Sequence, residues 1–133
     1  MSVESNFHIF LVDDDFFQIS ILERHLSANS NFKVSTFNNG EDCISNLESN
    51  PDVIVLDQSM DSGGMEDCMN GDETLKKIKS EKPDIPVIIF SGYKKDSQSE
   101  VLFDPKDIHA HIQKSDTAAE EIENIINKIF VNQ

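Results

Sequence analysis

Pro51-Asp52-Val53-Ile54-Val55-Leu56-Asp57 is the stretch that decides the fold. Val53 to Leu56 is an unbroken aliphatic run, rich in β-branched side chains, too short for a helix and bounded by polar residues. It reads as a strand covered on both faces, and it stops at an acid. Working outward, the same construction recurs on both sides. His8-Ile9-Phe10-Leu11-Val12 runs into Asp13-Asp14, Val87-Ile88-Ile89-Phe90 into Ser91, and the shorter Ala110-His111-Ile112-Gln113 into Lys114. As parallel strands of one sheet, these runs would gather three carboxylates, a hydroxyl and an ammonium along one edge. That edge, at the carboxyl ends of the strands, is where open α/β sheets bind ligands.

The intervening segments have helical periodicity, which makes the chain a succession of βαβ units. Phe16, Ile19, Leu22 and Leu26 form one stripe, with Asp14 or Asp15 as the N-cap. Residues 32–37 read as a further strand, followed by Asn38-Asn39-Gly40 and a helix turning Cys43, Ile44 and Leu47 inward. A polar connection from Gln58 to Asn70 leads to Gly71 and a helix carrying Leu75 and Ile78, stopped near Pro83. A short helix is predicted within residues 97–103, ahead of Pro105. The last helix opens with Thr117 and Glu120 at capping-box spacing. Its apolar stripe is Ala118, Ile122, Ile125, Ile126, Ile129 and Phe130. Five strands and five helices alternate, and no linker or repeat divides them.

A length of 133 residues suits one domain, expected to fill 1–133 with its core at about 6–131. Such a domain needs no disulfide or structural metal to fold. Cys43 and Cys68 form no CxxC pair. The first residues lack a signal-peptide pattern, and no apolar run approaches a membrane span, so a cytoplasmic setting is expected. With 25 acids against 11 bases, the net charge is −14. This argues against direct contact with nucleic acid or anionic membranes, which carry the same sign.

The residues along the sheet edge suit phosphoryl chemistry. Magnesium is a hard cation with oxygen ligands, and carboxylates from adjacent strand ends can hold it. An aspartate can act as nucleophile, and ammonium and hydroxyl groups neutralise the moving phosphoryl charge. Three clustered acids would also repel each other without a cation, two carboxylates about 4 Å apart by about 4 kcal/mol at an effective dielectric near 20.

On the motifs Leu11-Val12-Asp13-Asp14-Asp15, Pro51 to Asp57, Ile88-Ile89-Phe90-Ser91-Gly92 and Ile112-Gln113-Lys114, the whole chain resembles the response-regulator receiver domains of two-component signalling. The resemblance implies an α/β fold, a doubly wound five-stranded parallel sheet of order 2-1-3-4-5 with helices on both faces (flavodoxin-like). It implies that Asp57 accepts phosphate from a histidine kinase or a histidine phosphotransfer protein. Asp13, Asp14, Asp57 and the backbone carbonyl of Ser59 would hold Mg2+, with Mn2+ able to substitute. Ser91, followed by Gly92, would hydrogen-bond the phosphoryl oxygen, and Lys114 would ion-pair with it. Phosphorylation would then shift the population toward a state that presents a changed face to a protein effector. That face lies around the fourth helix, the fifth strand and the last helix. Catalysis would extend only to the chain's own phosphorylation and dephosphorylation.

The chain departs from the family pattern in four places. Ser115 follows Lys114 where proline is usual, and Met60-Asp61 replaces the usual Met-Pro. The 61–70 connection is long, and it either covers the site, meets a partner or is a tolerated insertion. His111 stands at the switch position usually held by Tyr or Phe, where it either makes switching pH-sensitive or fills the same space while neutral. Tyr93 and Ser59 occupy the positions that set how water reaches the acyl phosphate, and hence its lifetime.

Two other functions compete. A haloacid-dehalogenase-like phosphatase would use the Asp13-Asp14-Asp15 spacing but leaves Asp57 idle and needs a later acidic pair. A phosphorylation-independent interaction module predicts loss of the phosphorylation residues, all of which are present. The receiver reading requires residues 13, 14, 57, 91 and 114 to converge, with the nucleophilic oxygen open to solvent.

Overall fold

The computed structural model describes residues 7–57, 71–91, 108–113 and 115–131, without the side chains of residues 72 and 91. Five strands, β1 (Phe7–Val12), β2 (Phe32–Phe37), β3 (Val53–Asp57), β4 (Val87–Ser91) and β5 (Ala110–Gln113), form one sheet. Its order is β2-β1-β3-β4-β5, and every pairing is parallel. Four described helices accompany it: α1 (Phe16–Ser27), α2 (Gly40–Ser45), α3 (Gly71–Glu81) and α4 (Ala118–Val131). The expected helix within residues 97–103 and the 58–70 connection lie outside the described residues.

Strand alternation divides the core into two layers. Ile9, Leu11, Val53, Val55, Ile88 and Phe90 face one side, where Ile19, Leu22 and Leu26 of α1 and Ile122 and Ile126 of α4 pack on them. Phe10, Val12, Ile54, Leu56, Val87 and Ile89 face the other, under Cys43 of α2 and Leu75 and Ile78 of α3. Helices on both faces explain the continuous apolar strands. Each fully buried Leu or Ile contributes about 2 kcal/mol, so α1 and α4 dock through their stripes rather than by helix propensity. Burial also pushes the Cys43 thiol up to about 12, consistent with a core hydrophobe. Cys68 lies outside the described residues.

Three local expectations are refined. Phe16, placed on the inward stripe of α1, is 77% exposed instead. Leu47 is buried as expected, but on a short 3-10 turn (Leu47–Ser49), because α2 ends at Ser45. Thr117 uses its hydroxyl to donate to Glu121 Oε2 at 2.8 Å, a partner one residue beyond the capping-box position. Gly40 is required by packing: a Cβ there would overlap the Thr74 side chain, which is fully buried on α3.

Candidate functional site

The sheet order places β1 and β3 side by side at the point where the chain reverses its direction of winding, the crevice used by ligands in such sheets. Asp13 is held as a continuation of β1, its N–H donating to the Phe37 carbonyl at 3.0 Å. Asp57 is the last residue of β3, in register with Phe90 of β4. One carboxylate oxygen from each of Asp13, Asp14 and Asp57 lies within 4.8 Å of the other two.

The surroundings of the trio differ by member. Asp13 and Asp57 are each only 2% exposed, whereas Asp14 is exposed and forms the outward side. Asp57 is thus more enclosed than an open nucleophile would be, because β1 and β4 flank it on a central strand. Asp13 Oδ1 accepts a hydrogen bond from the Asp15 N–H at 2.8 Å. Asp15 in turn is the α1 N-cap, its Oδ1 accepting from Phe17 N at 3.1 Å and Gln18 N at 3.3 Å. The Asp14-or-Asp15 alternative resolves accordingly: Asp15 caps the helix, leaving Asp14 to the cluster.

Three hard oxygen donors from two strand ends fit a magnesium-sized cation, and the like-charge crowding gives that cation a reason to bind. Ser91 ends β4, in register with Gln113 of β5, which sets its backbone on the same carboxyl edge as Asp57. Its side chain lies outside the described residues, as do Ser59, Gly92, Tyr93 and Lys114. The structure therefore brings Asp13, Asp14 and Asp57 together and puts Ser91 on their edge. His111 is exposed on edge strand β5, opposite Ile89 of β4, so in this conformation it does not fill a buried switch position. Sequence reasoning missed the outward turn of Phe16 and Phe17. The adjacency of two aromatics was the available signal, since side chains 100° apart on a helix cannot share the centre of one narrow stripe.

The response regulator receiver domain model matches residues 9–127. A protein-glutamate methylesterase/protein-glutamine glutaminase of Clostridium acetobutylicum is 41% identical over 86 residues, covering 63% of this chain and 23% of that one. Response regulator SaeR of Staphylococcus aureus is 32% identical over 85 residues, 64% of this chain and 34% of its own. The chain spans about a quarter to a third of the length of these relatives. Among solved structures, response regulator TrrA of Thermotoga maritima in complex with Mg(2+)-BeF superposes with TM-score 0.74 at 23% identity, covering 92% of this chain and 97% of that one. A CheY-like receiver domain protein of Methanospirillum hungatei gives 0.75 at 22%, covering 94% of each. At such identities the likeness is one of fold.

Fold and site together define a doubly wound α/β domain with an acidic cluster at its switch point. The chain belongs to the response regulator receiver domain family of two-component systems.

Proposed function

We propose that this chain is a phosphoacceptor switch in a phosphorelay, in which magnesium-dependent transfer from a phosphohistidine to Asp57 changes partner binding. The observation that carries the reading is the Asp13–Asp14–Asp57 trio, oxygens within 4.8 Å, at the switch point of the sheet. A histidine kinase or histidine phosphotransfer protein is the donor. An Asp57 oxygen attacks phosphorus, the donor's N–P bond breaks with its electron pair leaving on the imidazole nitrogen, and an acyl phosphate results. Later attack of water on that phosphorus breaks the acyl O–P bond, releases inorganic phosphate and restores the carboxylate. Catalysis is confined to these two reactions of the chain itself.

Asp13, Asp14, Asp57 and the Ser59 carbonyl hold Mg2+, or Mn2+ in its place. The ion, when bound, neutralises charge on the phosphoryl oxygens. The donor approaches past Asp14, the exposed member of the trio. Ser91, with Gly92 after it, donates a hydrogen bond to a phosphoryl oxygen and Lys114 ion-pairs with it. Ser59 and Tyr93 set the lifetime by controlling water, and His111 is the switch-position residue. One receiver domain fills residues 1–133, with its core at about 6–131, in the cytoplasm. Its effector is a protein meeting β5, α4 and the helix predicted within residues 97–103, with neither nucleic acid nor membrane as a direct partner.

Incubation with acetyl phosphate and magnesium, followed by intact mass, tests the reading. The expected result is a gain of one phosphate, absent in Asp57→Asn. An unmodified wild type would favour the phosphorylation-independent module, and turnover of phosphomonoesters would favour the phosphatase.

A further inference from the structure

The chain has four histidines, and they fall into two kinds. Two are engaged inside the fold: His8 Nε2 meets Ser35 Oγ at 2.9 Å, and His25 Nε2 meets Glu123 Oε1 at 2.8 Å, linking α1 to α4. The other two, His109 and His111, lie at the outer strand of the sheet, and both are exposed. The His109 N–H donates to the Val87 carbonyl at 2.7 Å, continuing the ladder that sets His111 opposite Ile89. Between them Ala110 packs, like Ile112, against the core layer under α1 and α4. Strand alternation then turns both imidazoles to the opposite face.

Side chains two residues apart on a strand share a face, with Cα atoms about 7 Å apart. Imidazole nitrogen binds zinc at about 2.0–2.1 Å, so two rings at that spacing can close on one ion. The donors differ in kind from those of the acidic trio. Carboxylate oxygen suits a hard cation such as magnesium, whereas imidazole nitrogen suits a borderline one such as zinc. A ligating imidazole keeps its second nitrogen for a hydrogen bond, so neither ring has to give up a protein partner in order to bind. The net charge of −14 raises the local concentration of any divalent cation.

We propose that His109 and His111 form a second metal site, a two-imidazole chelate for a borderline divalent cation of the zinc type, with water completing the coordination. Two protein ligands, against the four of a structural zinc site, make the ion exchangeable rather than permanent. The bound ion holds the His111 ring outward on β5, two residues before Gln113, which is in register with Ser91 of β4. Such a site stands whether or not Asp57 accepts phosphate, because it shares no ligand with the trio.

The test titrates zinc chloride into the full, tag-free chain in saturating magnesium while NMR follows the ring protons of all four histidines. The His109 and His111 signals should move together and level off at one zinc per chain, with those of His8 and His25 unmoved. Replacing one ring should release the other. In His109→Gln the zinc concentration needed to move His111 should rise by about tenfold or more, and His111→Gln should do the same to His109. Asp57→Asn, which dismantles the acidic trio, should leave the response of the two rings as it is in wild type. Zinc taken up with both rings unmoved would place the ion elsewhere and overturn the proposal. So would a ring that responds equally well after its neighbour is replaced, since it would then bind alone. Neither result touches phosphorylation of Asp57, which the acetyl phosphate experiment reads separately.

Discussion

The two ends of the neighbouring strands β1 and β3 are built on opposite rules. At the carboxyl end, Asp13, Asp14 and Asp57 bring like charges within 4.8 Å, two of them buried. At the amino end the polar groups are complementary. The His8 N–H donates to Asp52 Oδ2 at 2.8 Å, Asp52 N–H returns a bond to the His8 carbonyl at 2.8 Å, and His8 Nε2 meets Ser35 Oγ at 2.9 Å. Identical strands and identical neighbours thus support a satisfied end and an end where like charges crowd together. Crowding of like charges costs stability and persists where a ligand relieves it.

The largest effect should come from removing a charge at the crowded acidic end. Asp13→Asn keeps Oδ1 as an acceptor for the Asp15 N–H but removes a charge from the trio. Urea unfolding without magnesium should show a gain of about 2 kcal/mol, of the order expected when one close carboxylate repulsion is relieved. Wild type should be stabilised further by added magnesium, and the variant far less. A variant less stable than wild type in the metal-free state would mean that the two ends obey the same rule.

The opposite sign is expected at the satisfied end. Asp52→Ala strips the acceptor from the partly buried His8 N–H. It should destabilise by about 1.5 kcal/mol, the usual consequence of orphaning a backbone donor. Asp52→Asn retains an acceptor oxygen and should cost less, read in the same unfolding experiment. A neutral or stabilising Asp52→Ala would remove the contrast between the ends.

Much of this was legible in the sequence, for a physical reason. Strands buried on both faces must be continuously apolar, so their ends stand out, and parallel pairing then carries the acids to one edge. The sheet order and the trio follow from that pattern together with the family resemblance. Three features were not legible. Periodicity fixes the angle of a helical side chain but not what lies beneath it. Phe16 occupies the first position of α1, beyond the end of β1, and so lies outside the stripe formed by Ile19, Leu22 and Leu26. Asn39-Gly40 reads as a turn, while the need for glycine comes from Thr74, a contact distant in sequence. Lys79 carries no sequence signal of its contacts, while in the structure its Nζ donates to the Ile85 carbonyl at 2.7 Å and to that of Pro83 at 3.3 Å, closing the α3–β4 connection. Local rules do not encode such closures.

The smallest expected effect concerns the titration of the satisfied end. Burial holds the His8 imidazole below its ordinary value of 6.5, Lys33 opposite it in β2 acts in the same direction, and Asp52 opposes them. A histidine whose folded value is depressed binds fewer protons in the native state than in the unfolded chain. Its contribution to stability is therefore complete above about pH 6.5 and is lost as the pH falls through that value toward the folded one. Urea midpoints taken from about pH 7.5 down to about pH 5 should decline more steeply for wild type than for His8→Gln, whose amide still reaches Ser35 but cannot gain a proton. Every other histidine is common to both proteins, so the difference between the curves isolates His8. Parallel curves would show that the amino end carries no proton-linked stability. A steeper decline in the variant would place the cationic form of His8 in the native state, with Asp52 outweighing both burial and Lys33.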